Sequence, residues 1–351
     1  MPLSNTVKST TRNANIDILR GFLIVLVIIG HVVLGSVHDN VIRYSIYAFH
    51  MPLFIGLSGY LINPLSLQNS DFLSVLNRYW HRVLLPFLFA FIVYTGVLIF
   101  HAFEEGRLSV QLLLSYLLTP YYHLWFVPTL VIWVFAFWAI LKLKLPLGLV
   151  LLVCLIASLL WGSIPKSQQW FILAPLLSKK VVYFFLFFMF GAYLRSGVKN
   201  KVLNVVTDFK VLPVSIIAAC ACIYLLNIGV DKSPLRAVVW LLMNVLLIVV
   251  SVQAMNYTKP VKKVSVKKPN TMNAVLEAMG RNSLPIYLWH VAPLFILKGF
   301  DVHQTHIGWY YIISGVSIVS LCAFILKFEN KNSVLNRILY GNAISKKIAP
   351  K

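Results

Sequence analysis

The stretch DILRGFLIVLVIIGH, Asp17 to His31, decides how this chain is read. Between Arg20 and His31 no residue carries a charge. A run this apolar spans a bilayer or lies deep in a core. The rest of the chain selects the bilayer: 59% of the 351 residues are hydrophobic, only 12% are charged, and mean hydropathy is +0.81. Soluble domains are closer to half apolar and a quarter charged. The excess apolar surface needs lipid as its solvent.

Working outward, apolar runs of spanning length recur near Ile16–Val37, Tyr44–Asn63, Val83–Phe103, His123–Leu141, Leu147–Ile164, Val181–Leu194, Val211–Val230, Leu235–Met255, Leu284–Gly299 and Gly308–Lys327. The expected fold class is all-α: a polytopic integral membrane protein with about ten transmembrane helices. Pro52, Pro86, Pro128 and Pro285 fall inside or at the start of spans, where neighbouring groups can satisfy the freed carbonyls. The first run has no small-residue cleavage site after it and is expected to remain as a helix. With the N-terminus inside, 23 of the 31 lysines and arginines lie inside and eight outside, so both termini are expected in the cytoplasm. The net charge of +21 then reads as loop charge that fixes orientation, with no nucleic-acid partner implied.

Residues 1–15 are expected to form a cytoplasmic tail, 16–330 a single transmembrane domain, and 331–351 a basic cytoplasmic tail. The longest loop, from about Asn256 to Asn282, reads as an inside-facing basic linker. Ser70 to Trp80 reads as an interfacial helix leading into the third span. Cys154, Cys220, Cys222 and Cys322 all fall in apolar runs and read as buried filler. No metal-ligand spacing accompanies them.

Arg20 and His31 are eleven residues apart. At 100° per residue both side chains lie on one helix face, about 16 Å apart along the axis. Arg20 belongs at the cytoplasmic boundary and His31 in the outer half. Arg20 also fits a simple inside-positive anchor paired with Asp17. His31 also fits a satisfied core histidine, although ionisable residues inside spans usually face a cavity or a partner. His50, His101, His123 and His290 fall in or at the ends of other spans, and could line one outer-half cavity with His31. Neutral imidazole can take a proton from an attacking hydroxyl.

The Arg-x10-His pattern of Arg20 and His31, with the flanking IDILRG, resembles the first-helix signature of the membrane acyltransferase-3 family. FHMPLFIGLSGY resembles that family's second helix, HLWFVPTL its Leu-Trp-Phe helix, and GRNSLPIYLWH its late Gly-x-Asn-Ser…Tyr-x-x-His segment. RYWHRVLLP resembles its paired-arginine segment. That pair is often Arg-x-x-Arg, whereas three residues separate Arg78 from Arg82.

The resemblance implies an integral enzyme of the bacterial inner membrane. It would move an acyl group, commonly acetyl, from cytoplasmic acyl-CoA to a hydroxyl of a surface glycan or lipid-linked saccharide at the outer face. It implies Arg20 and His31 as the catalytic pair, and no metal. Arg20, Arg78 and Arg82 are expected to hold the phosphates of acyl-CoA, acetyl-CoA in the commonest case, because guanidinium suits phosphate. His50 and His290 are candidates to orient His31 or bind sugar. Ser58 is a candidate nucleophile or a helix-packing residue. Trp125, Tyr287 and Trp289 are candidates for stacking on a sugar or for aromatic packing. Asn282 and Ser283 are candidates to cap the ninth span. Direct transfer and an acyl-histidine route both fit. A glycan exporter or flippase without acyl transfer is the rival reading, and a purely structural membrane subunit is a third.

Overall fold

The computed structural model describes residues 14–36, 40–118, 120, 123–163, 179–196, 208–227, 234–257, 271–300, 302–328 and 333–341. Every regular element among them is helical. Five helical stretches are long and apolar enough to cross a membrane: Ala14–Val32, Phe72–Glu104, Phe209–Leu226, Ala237–Ala254 and Ile307–Phe328. Three shorter apolar helices, Phe126–Lys142, Leu147–Leu160 and Val181–Arg195, accompany them. Large apolar side chains such as Leu152, Leu160, Ile217, Ile312 and Val319 are exposed on these helices, as lipid-facing surfaces require. The chain is a polytopic helical membrane protein.

The first four helices are α1 (Ala14–Val32), α2 (Val41–Tyr60), α3 (Pro64–Asn69) and α4 (Phe72–Tyr79). Asp71 caps α4 by accepting from the Ser74 N–H, and α4 falls within the 70–80 segment where a helix was expected. A π-helical turn, Trp80–Leu84, then runs without a break into α5 (Leu85–Glu104). Next come α6 (Val110–Leu118), α7 (Phe126–Lys142), α8 (Leu147–Ser163), α9 (Lys179–Arg195), α10 (Leu212–Asn227) and α11 (Pro234–Tyr257).

The segment read as a basic linker contains a helix, α12 (Thr271–Arg281). The expected ninth span is two short helices, α13 (Ser283–Trp289) and α14 (Ala292–Gly299), broken at His290 and Val291. Pro293 in the first turn of α14 has no N–H for the Trp289 carbonyl, which ends the continuous ladder there. A short α15 (Val302–Thr305), the long α16 (Ile307–Phe328) and α17 (Ser333–Tyr340) complete the described chain.

Two helix pairs pack with backbone against backbone. On α1, Gly21 meets the Leu276 carbonyl of α12, and Gly280 of α12 meets the Asp17 carbonyl. No Cβ fits at either glycine. Gly59 of α2 and Gly191 of α9 make the equivalent close approach, which supports the packing reading of the Gly56-Ser58-Gly59 stretch. Three cysteines, Cys154, Cys222 and Cys322, are buried as expected, whereas Cys220 is exposed on α10.

Candidate active site

Arg20 sits nearly two turns into α1, where the helix leaves its polar end. Its Nη1 is 4.0 Å from the buried Asp17 carboxylate, one turn earlier. Its Nη2 donates to Ser283 Oγ at 2.6 Å. The Arg20 side chain keeps about a quarter of its surface open, and it lines a cavity of about 700 Å³ between α1, α2, α3 and α4. Arg78 and Arg82 line the same cavity. The two are four positions apart on one continuous helix, so both fall on the same face. Three guanidinium groups therefore surround a single open cavity, a setting suited to phosphate groups.

A second cavity, about 200 Å³, shares Arg20, Arg82, Phe54 and Ser58 with the first and runs deeper. Arg281 and Ser283 line it, and Phe126 and Tyr287 bound it. The Phe126 ring lies 5.4 Å from Phe54 and 5.7 Å from Tyr287, edge to face in both cases. Tyr287 is buried, and its hydroxyl donates to the backbone carbonyl of His123.

Beyond Tyr287 lie three histidines from three separate parts of the chain: His31 on α1, His123 just before α7 and His290 between α13 and α14. The His31 ring is 5.1 Å from His290 and 6.3 Å from His123, and His123 is 5.2 Å from His290. The Tyr287 ring is 5.7 Å from His123 and 6.1 Å from His290. On the other side, the Tyr47 hydroxyl lies 3.5 Å from His31 Nδ1, and its ring is 5.0 Å from His50.

Carbonyl partners fix which nitrogens carry protons, since a carbonyl can only accept. His290 Nδ1 donates to the carbonyls of Tyr287 at 2.8 Å and Ile286 at 3.2 Å. In the neutral ring, Nε2 is then a bare acceptor, and it is buried with no partner among the described residues. His123 Nε2 donates to the Leu288 carbonyl at 3.1 Å, and Tyr94 donates to the same oxygen at 3.2 Å. His50 Nδ1 donates to the Ile46 carbonyl at 2.7 Å. His123 and His290 are almost fully buried, whereas His31 keeps part of its surface exposed.

This arrangement can be set beside known proteins. A family model described as an acyltransferase domain matches residues 13–327. The chain belongs to the acyltransferase-3 family. The nodulation protein NolL of Sinorhizobium fredii (strain NBRC 101917 / NGR234) is 34% identical over 88 residues, covering 23% of this chain and 24% of that protein. The NolL of Mesorhizobium japonicum (strain LMG 29417 / CECT 9101 / MAFF 303099) is 38% identical over 88 residues, 23% of each chain. The chain thus spans about a quarter of the length of these curated relatives. No solved structure matches.

In this acyltransferase-3 chain, the residues singled out from sequence fall into two groups joined by α1. Arg20, Arg78, Arg82 and Ser58 line the first cavity, and Tyr287 borders both the second cavity and the histidines. His31 and His290 touch directly, and His50 reaches them through Tyr47. Ser58 donates to the Phe54 carbonyl one turn back at 2.8 Å, and the residues lining its two cavities include no histidine to act as its base. Trp125 stacks on Phe184 at 5.8 Å and Trp289 on Tyr94 at 5.9 Å, so both are engaged in aromatic packing.

His101 does not join the cluster; it packs on Phe295 at the end of α5. Asn282 makes no side-chain cap bond to α13 and instead donates to the Ala278 carbonyl at 3.1 Å, while Ser283 serves Arg20. His123, expected at a span's end as one of the histidines that could line a cavity with His31, lies against both His31 and His290. Arg281 was hidden in the supposed linker; its Glu277 partner four residues earlier, at 2.8 Å, is the helix signal that could have revealed it. Among the described residues no three of His, Cys, Asp or Glu are placed to hold a metal ion.

Proposed function

We propose that the chain is a membrane O-acyltransferase that moves an acyl group, acetyl first among candidates, from cytoplasmic acyl-CoA to a hydroxyl of a surface glycan or lipid-linked sugar at the outer face of the inner membrane. The reading includes about ten spans with both termini in the cytoplasm. The observation that carries it is the division of labour along α1. Arg20 lines a cavity with Arg78 and Arg82, and His31, three turns on, lies in a histidine cluster and keeps open surface.

The phosphates of the donor bind the three guanidiniums at the cytoplasmic mouth, and the pantetheine arm follows the second cavity past Phe54 toward Tyr287. The acceptor hydroxyl enters from outside against His31. Imidazole takes the hydroxyl proton as the oxygen attacks the thioester carbonyl carbon. The tetrahedral intermediate collapses with cleavage of the C–S bond. The leaving thiolate takes the proton back from the imidazolium and departs inward as free coenzyme A. His290 Nε2, a bare acceptor beside His31, is placed to receive a hydrogen bond from a neighbouring hydroxyl of the sugar and so hold the attacking one, whose proton goes to His31, in line. No charged carrier crosses the bilayer.

The test uses purified protein in lipid nanodiscs with labelled acetyl-CoA and a surface-glycan extract. Free thiol and labelled glycan are expected, and His31→Ala should lower both by about 10²- to 10⁴-fold, the range for loss of a positioned base. Thiol release that persists in His31→Ala, or none from the unmodified protein, overturns the reading. The second result leaves the exporter alternative standing.

A further inference from the structure

We propose that Gly341 is a positioning residue for Arg82, and that α17 completes the donor site from outside the residues the family model matches. The inference rests on the donor reading of the arginine cavity. The matched region ends at residue 327, whereas α17 runs Ser333–Tyr340. Its end is nonetheless built into the second cavity: Tyr340 and Gly341 line it together with Arg20 and Arg82.

Two anchors hold it there. Tyr340 is buried and its hydroxyl donates to the Ile325 carbonyl of α16 at 2.8 Å. Gly341 is buried at φ +64°, a left-handed conformation that side chains disfavour. Its α-carbon lies so close to the backbone of Arg82 that an added Cβ would overlap the Arg82 carbonyl. Arg82 belongs to the π turn, where the regular α-helical ladder is interrupted. A segment with a loosened ladder needs bracing from outside to keep one side-chain direction. Gly341 supplies that brace at the arginine's own backbone, and any side chain there pushes Arg82 out of register with Arg20 and Arg78.

The experiment measures binding of coenzyme A, and KM for acetyl-CoA, with the full chain in nanodiscs. Gly341→Ala and Gly341→Asn are compared with the unmodified protein and with Arg82→Ala. Both glycine variants are expected to weaken coenzyme A binding and raise donor KM about tenfold, as loss of one charge-assisted contact would. The acceptor KM, which a general loss of structure would also move, stays put. Asparagine tolerates positive φ, so recovery of affinity in Gly341→Asn overturns the collision argument. Wild-type affinity in both glycine variants, with loss only in Arg82→Ala, overturns the inference and leaves the donor reading intact. Failure of the unmodified protein to bind coenzyme A removes the donor reading and the inference with it. If the glycine variants do not fold, Tyr340→Phe carries the test: donor affinity about threefold weaker is expected, and no change overturns it.

Discussion

His290 keeps its proton on Nδ1 because two backbone carbonyls claim it, and that leaves Nε2 bare beside His31. A base that only orients a hydroxyl acts in the transition state more than in donor binding. His290→Ala is therefore expected to lower kcat by at least about tenfold, the scale of one lost hydrogen bond, with donor KM unchanged. Steady-state kinetics with acetyl-CoA varied at fixed acceptor checks this; a rise in donor KM alone would contradict the placement. The pairing of Arg20 with His31 was legible from spacing, because eleven residues fix both on one helix face. The Ser283 partner of Arg20 was not. It comes from an element far along the chain, and no local pattern reports a contact made through tertiary packing.

At the level of elements, the glycine contact of α1 with α12 sets where Arg20 and His31 stand. Gly280→Val would force the Asp17 backbone away, at a cost of about 1–3 kcal/mol for overpacking. Thermal unfolding in detergent should show the loss, and Gly96→Val, where an added Cβ meets nothing, should not. Most of the apolar runs read from sequence coincide with helices, to within a few residues at their ends, and five helical stretches among the described residues are long and apolar enough to cross a membrane. Helix α12 was not among those runs, since its flanking lysines made the whole segment look like solvated linker. Its Glu277–Arg281 pair and its buried Met279 were the overlooked signs. The break in the ninth span was written in Pro293, which removes the ladder bond to Trp289. The π turn at Trp80–Leu84 had no such mark.

For the molecule as a whole, orientation decides which mouth meets which substrate. In a background with the four native cysteines replaced, Arg107→Cys is expected to react with a membrane-impermeant maleimide added outside whole cells. Leu143→Cys, exposed on the opposite connection, should react only after the membrane is opened. The reverse pattern would put the arginines at the outer face and refute the donor route. Composition made the membrane setting plain, because 59% hydrophobic residues have no aqueous home. It did not reveal that the two cavities share a wall and that the second reaches Tyr287, because a void is a property of how helices meet.

The backbone contact between Gly21 and α12 has one more effect. It clamps the helix that bears both Arg20 and His31, so in the proposed reaction α1 cannot slide to suit a smaller donor, and the rise of about 16 Å along the axis from Arg20 to His31 behaves as a fixed gauge. Acetyl thioesters trimmed of their nucleotide and most of their arm should then be turned over far less efficiently than acetyl-CoA, a difference that kcat/KM for the two donors would register directly.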